Sequence, residues 1–174
     1  ILGEIHGFYV IFPRWDDILH TTNGFLAAAI GFAMIDILNR NEKVKMTMSP
    51  LFVALVSFCF SMTIGVIWEF FECSMDIFFG MDMQKDTWLT EFNSVAIHPE
   101  GLNVPVHVDV SSVTVNDMVW DKYLDVGLYD TMHDLFVNFI GAVVFSIPGL
   151  IYIKSRGKGL AAKFIPTLRK SRTE

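Results

Sequence analysis

The chain has 174 residues, 52% hydrophobic and only 18% charged, with a mean hydropathy of +0.44, which is too apolar for an ordinary soluble domain and reads as an integral membrane protein. The formal net charge of -6 excludes little by itself. Acidic and basic residues lie in separate blocks, and in a membrane chain it is their placement that carries the information.

Ile1 to Phe12 is apolar apart from Glu4 and His6 and is too short to cross about 30 Å of hydrocarbon. It has neither the charged n-region nor the A-x-A site of a signal peptide. It is expected to be the end of an earlier element, with helices upstream of residue 1. Pro13, Trp15, Asp16 and Asp17 make an interfacial helix start: proline suits a first turn, aspartates suit its dipole and tryptophan suits the headgroup region. A first span is expected over 14–38, with Gly24, Ala27, Ala28 and Gly31 as a small-residue stripe for close helix packing.

After Arg40, Lys43 and Lys45, the pair Ser49-Pro50 supplies a cap and a first-turn proline for a second span over 50–79 that ends at Gly80. Residues 81–129 form a polar insertion rich in aspartate. Val104, Val106, Val108 and Val110 alternate there after the turn signal Pro99-Glu100-Gly101, which predicts a small β-hairpin. A third span over 130–153 precedes a basic tail, 154–174. The positive-inside rule puts the loop at 40–45 and the tail in the cytoplasm and the 81–129 insertion outside. The fold class expected is therefore an all-α polytopic membrane protein, a transmembrane helix bundle with a small extracytoplasmic β-hairpin insertion. Cys59 and Cys73 lie about four helical turns apart in one span and cannot pair.

This topology brings three acid-bearing stretches to one membrane depth. Asp16 and His20 are spaced i, i+4 at the head of the first span, Asp130 and Asp134 repeat that spacing at the head of the third, and Glu69, Glu72 and Asp76 share a face near the end of the second. A carboxylate in hydrocarbon costs about 2.5–3.5 kcal/mol on insertion scales, so such groups face a bundle interior, a cavity or a cation. Asp16, His20, Glu69, Glu72, Asp130 and Asp134 are the candidate ligands of a divalent metal: zinc, manganese or iron for mixed imidazole and carboxylate ligands, magnesium for an all-oxygen subset. The plainer alternatives are that Asp17 and Asp130 cap helices, that His133 faces the surface, that Cys73 is a packed thiol and that the tryptophans anchor at the interface.

Trp15-Asp16-Asp17-Ile18-Leu19-His20 with Gly24, then Trp68-Glu69-Phe70-Phe71-Glu72, then Gln84-Lys85-Asp86-Thr87, then Asp130-Thr131, Asp134, Asn138 and Gly141-Ala142 resemble, in that order, the YjdF-type inner-membrane proteins. More distantly the chain is similar to VanZ-like proteins. The resemblance covers most of 1–153 and implies a polytopic bundle with further helices upstream. It implies no reaction, and through the VanZ likeness an envelope-related role. The function expected is a cell-membrane protein with an outer-leaflet carboxylate/histidine site that binds a metal and binds or acts on an envelope or lipid-linked substrate. The alternatives are an ion- or proton-coupled transporter, with Asp36 continuing the path, and a structural or assembly subunit that meets a protein partner at the hairpin. The basic tail carries no nucleic-acid recognition motif and suits anionic lipid instead.

Overall fold

The computed structural model describes residues 6–12, 14–40 and 48–155. Pro13, the basic loop at 41–47 and the tail beyond 155 lie outside the described residues. In chain order the elements are α1 (Phe8–Ile11), α2 (Trp15–Arg40), α3 (Pro50–Phe79), β1 (Trp88–Leu89), β2 (Glu91–Ser94), β3 (Val106–Asp109), β4 (Val113–Val115), β5 (Met118–Trp120), β6 (Tyr123–Leu124) and α4 (Leu128–Lys154). Among the described residues three helices, over Trp15–Asn39, Pro50–Phe79 and Leu128–Lys154, are long and apolar enough to cross a membrane. The chain divides into two compact units, residues 72–132 and the remainder.

In the helical unit, α3 runs antiparallel to α2, and α4 runs parallel to it. Ser57 and Ser61 of α3 donate their hydroxyls to the Ala28 and Gly24 carbonyls of α2, at 2.5 and 2.7 Å. The two serines stand at i and i+4 on the face of α3 that meets α2. Gly31 lies against Phe60 of α3, whereas Gly24 lies against Asn138 of α4, so the small-residue stripe serves two neighbours at once. A Cβ on Gly65 would come within 2.7 Å of Asn138 Nδ2, and one on Gly141 would collide with the Thr21 carbonyl. The apolar core lies below this level, built from Ala28, Phe32, Val53, Ala142, Phe145 and Tyr152. Phe145 meets Phe25 and Phe32 edge-on at 5.2 and 5.8 Å.

Ser49 caps α3 as its sequence suggests: its Oγ accepts the Phe52 amide at 3.3 Å, with Pro50 in the first turn. Asn39 pairs with the backbone of Met48 through both side-chain atoms, at 3.3 and 2.7 Å, and so closes the link between α2 and α3. Pro148 stands inside α4, where it removes one backbone hydrogen bond.

The second unit holds the end of α3, the six strands and the start of α4. The strands form three two-stranded antiparallel ladders, β1 with β6, β2 with β3 and β4 with β5, and not one hairpin. Val106 and Val108 do alternate inward, but their partners are Ser94 and Phe92. The polar sequence of β2 hides that pairing. Gly101, at φ 68, lies in the connection between these strands. The two-residue turn Asn116-Asp117 joins β4 to β5, with Asn116 at φ 53, a conformation asparagine tolerates.

The segment Gln84-Lys85-Asp86-Thr87 acts as a clasp inside this unit. The Gln84 amide donates to Asp76 at 2.9 Å, the Lys85 amide to Asp130 at 2.7 Å and the Thr87 amide to Asp125 at 2.7 Å. The Gln84 side chain also reaches the Thr131 hydroxyl. Gly127, at φ 86, is required twice: its backbone is left-handed, and a Cβ would lie 2.6 Å from Gln84 Cβ.

Candidate functional site

His20 is the centre of the site. The i, i+4 spacing in α2 sets Asp16 one turn before it, the parallel approach of α4 brings Asp134, and the antiparallel approach of α3 brings Glu69. His20 Nε2 lies 3.5 Å from Asp16 Oδ1 and 3.4 Å from Asp134 Oδ2, while Nδ1 lies 3.7 Å from Glu69 Oε1. All but Asp16 are removed from the surface: His20 is 6% exposed, Glu69 3% and Asp134 1%. Asp16 is half-buried.

These separations are informative. A charge-assisted hydrogen bond from nitrogen to carboxylate settles at about 2.7–2.9 Å, well short of what is seen here. Two ligands each about 2.1 Å from a tetrahedral metal lie about 3.4 Å apart. The Asp16 and Asp134 oxygens lie at about that distance from Nε2, which is also within the range of a histidine–carboxylate ion pair. Oxygens of Asp16 and Asp134 lie within 4.8 Å of each other, as do ligand atoms of His20, Glu69 and Asp134.

The other sequence-derived candidates are placed as follows. Glu72 is 6% exposed and one turn after Glu69 on the same face of α3. Asp130 stands one turn before Asp134 in α4, with its Oδ2 accepting the Lys85 amide. Asp76, one turn after Glu72 on the same face, is engaged by backbone: its two carboxylate oxygens accept the Met83 and Gln84 amides, at 2.6 and 2.9 Å. His133 is exposed and 3.1 Å from Asp17. Cys59 and Cys73 are free thiols.

Sequence reasoning missed the space beside His20. A cavity of about 640 Å³ runs between α2 and α3. His20, Asn23 and Asn138 give it polar walls, and the rest of its lining, including Leu26, Ile30, Phe60 and Ile64, is apolar. The signal was present in the sequence, since Asn23 continues the polar stripe of Asp16 and His20 and Asn138 that of Asp130 and Asp134, but only the packing of three helices puts them beside one void.

Three membrane-length helices carrying a buried carboxylate and imidazole cluster define a helical membrane protein with a polar site inside its bundle. The chain belongs to the family described as predicted membrane protein (DUF2238), whose model matches residues 1–155. Neither the curated proteins nor the solved structures that were compared include a significant match.

Proposed function

We propose that the protein is a multi-pass cell-membrane protein whose His20 cluster holds a divalent metal, and that it binds or acts on an envelope or lipid-linked substrate there. The observation that carries this reading is the 3.4 and 3.5 Å spacing of the Asp134 and Asp16 oxygens about one imidazole nitrogen. Asp16, His20 through Nε2, and Asp134 are the inner ligands. Glu69 lies 3.7 Å from the other nitrogen, where its charge favours the proton on Nδ1 and leaves Nε2 for the metal. Imidazole with carboxylates suits zinc, iron or manganese more than magnesium. A bound metal lowers the pKa of a coordinated water and polarises a carbonyl or ester oxygen. The motif resemblance to VanZ-like proteins is what favours an envelope role.

The transporter reading is weaker. Asp36 is buried in the same helix, but it lies about 24 Å along the axis from His20 at 1.5 Å per residue. Phe32, Ala28 and Val53, all fully buried, pack between these levels.

The test is elemental analysis of the purified full chain after incubation with Zn²⁺, Mn²⁺ or Fe²⁺. Wild type should carry stoichiometric metal. His20→Ala and Asp134→Ala should lose it, and Glu69→Gln should keep it with affinity reduced about 10–100-fold. A metal-free wild type in all three incubations would sink the proposal.

A further inference from the structure

We propose that the exposed face of the β2–β3 ladder binds a divalent ion of the zinc class through Glu91, His107 and Asp109. The site shares no residue with the His20 cluster and does not depend on how that cluster is read. Its first support is register. Glu91 pairs directly with Asp109, and Asn93 with His107. All four stand on the exposed face of the ladder, while Phe92, Ser94, Val106 and Val108 turn to the other side.

Charge and hydrogen bonding give the face its chemistry. Glu91 and Asp109 both stand in water and are charged at neutral pH, and like charges directly opposite each other push a ladder apart. Among the described residues neither has a lysine or arginine partner, and what faces both is one imidazole nitrogen. His107 Nε2 lies 3.4 Å from Asp109 Oδ1 and 3.9 Å from Glu91 Oε2. The other nitrogen is occupied: Nδ1 lies 3.1 Å from Asn93 Oδ1, an oxygen that only accepts, so the proton of that bond is on Nδ1 and the Nε2 lone pair is left toward the carboxylates. A neutral imidazole held in this way cancels neither charge, whereas a divalent ion between the three groups cancels both and takes the lone pair. One ligand atom from each residue lies within 4.8 Å of the others. Ligands about 2.1 Å from a tetrahedral metal are about 3.4 Å apart, the separation Asp109 already has, and Glu91 closes the remainder by rotating an exposed side chain. Imidazole with carboxylates favours zinc over calcium or magnesium. The bound ion would tie β2 to β3, a two-stranded ladder of four residues a side that is marginal by itself.

An exposed ion of this kind exchanges and is stripped by gel filtration, so it is read by titration. The experiment uses the full chain without an affinity tag, in neutral detergent and in a His20→Ala background, with Zn²⁺ and Ca²⁺ titrated by calorimetry. Zinc should bind with micromolar affinity, at least about tenfold more tightly than calcium. His107→Ala, and Glu91→Gln with Asp109→Asn, should abolish that binding, and Asn93→Ala should weaken it about tenfold. Amide hydrogen exchange over residues 91–94 and 106–109 should slow with zinc in the parent chain and not in His107→Ala. If the His20→Ala chain does not fold, the same comparison is made between wild type and His107→Ala as the difference in zinc bound. Absence of zinc binding, binding unchanged by His107→Ala, or equal affinity for calcium would reduce the cluster to an ion pair on an acidic surface and overturn the proposal, whatever the His20 cluster binds.

Discussion

Asp125 ties three backbone amides of its unit together. Its Oδ1 accepts the Thr87 and Gly127 amides at 2.7 and 3.2 Å, and its Oδ2 accepts Tyr129 at 2.8 Å. Burial pushes its pKa up, but these amide hydrogen bonds together outweigh that and hold it below the ordinary 3.8. A depressed folded pKa means that the stability is fully present above 3.8 and drains away as the pH falls through the folded value. Asp125→Ala should therefore cost about 1–2 kcal/mol near neutral pH, and the gap to wild type in melting temperature should close as the solution is acidified below that range. A gap independent of pH would mean that the carboxylate charge is not what the amides use. Asp86 has the opposite sign. Burial first, and then Asp82, Asp125 and Asp76, raise its pKa above 3.8, so its ionised form opposes folding at neutral pH. Val126, next to the clasp, sits at φ 59 and is 75% exposed. A β-branched residue is strained in that region, and little packing is lost on removing it. Val126→Gly should stabilise the chain by about 1 kcal/mol, read as a higher melting temperature.

Between elements, the contacts of α2 with its neighbours are of two kinds with different sensitivities. The Ser57 and Ser61 hydroxyl bonds are additions to carbonyls already inside a helix, and interhelical bonds of this sort average about 0.6 kcal/mol. The glycine contacts are matters of space. Gly141 abuts the Thr21 backbone, which cannot step aside as a flexible side chain would. Gly141→Ala should destabilise by about 1–3 kcal/mol, clearly more than Ser61→Ala. If chemical denaturation in detergent ranks them the other way, the helices are held by hydrogen bonds and not by close approach. The small-residue stripe of α2 was visible in the sequence, because glycine and alanine at helical spacing mean one thing in a membrane helix. Which neighbour each glycine meets was not visible. The same limit explains the strands: alternating valines marked β3, but the polar Glu91–Ser94 gives no sign of its partner.

At the scale of the whole chain, three apolar runs and their caps sufficed to find the membrane-length helices, and the convergence of Asp16, His20, Glu69 and Asp134 followed from placing their ends at one depth. What spacing alone did not show was the division of labour: that the two nitrogens of His20 face different carboxylates, and that Asp76 and Asp130 are engaged by backbone amides. Charge bias makes a separate forecast. Single cysteines introduced at Lys43 and at Gly101, in a chain with Cys59 and Cys73 replaced, should show opposite accessibility to an impermeant thiol reagent. Labelling from the same side would remove the basis for placing the site in the outer leaflet.

The slot between Gly24 and Gly65 that receives Asn138 has a consequence for the order of assembly. Both walls of the slot, and the hydroxyl clamps and Asn39 link that hold them, belong to α2 and α3, which leave the ribosome before α4 does. The slot lies one turn along α2 from His20, and with Asn138 seated in it Asp134, one turn earlier on α4, stands beside the imidazole. A slip of one turn in α4 would leave the histidine with a different neighbour, so the glycines act as an alignment gauge for the pairing of His20 with Asp134.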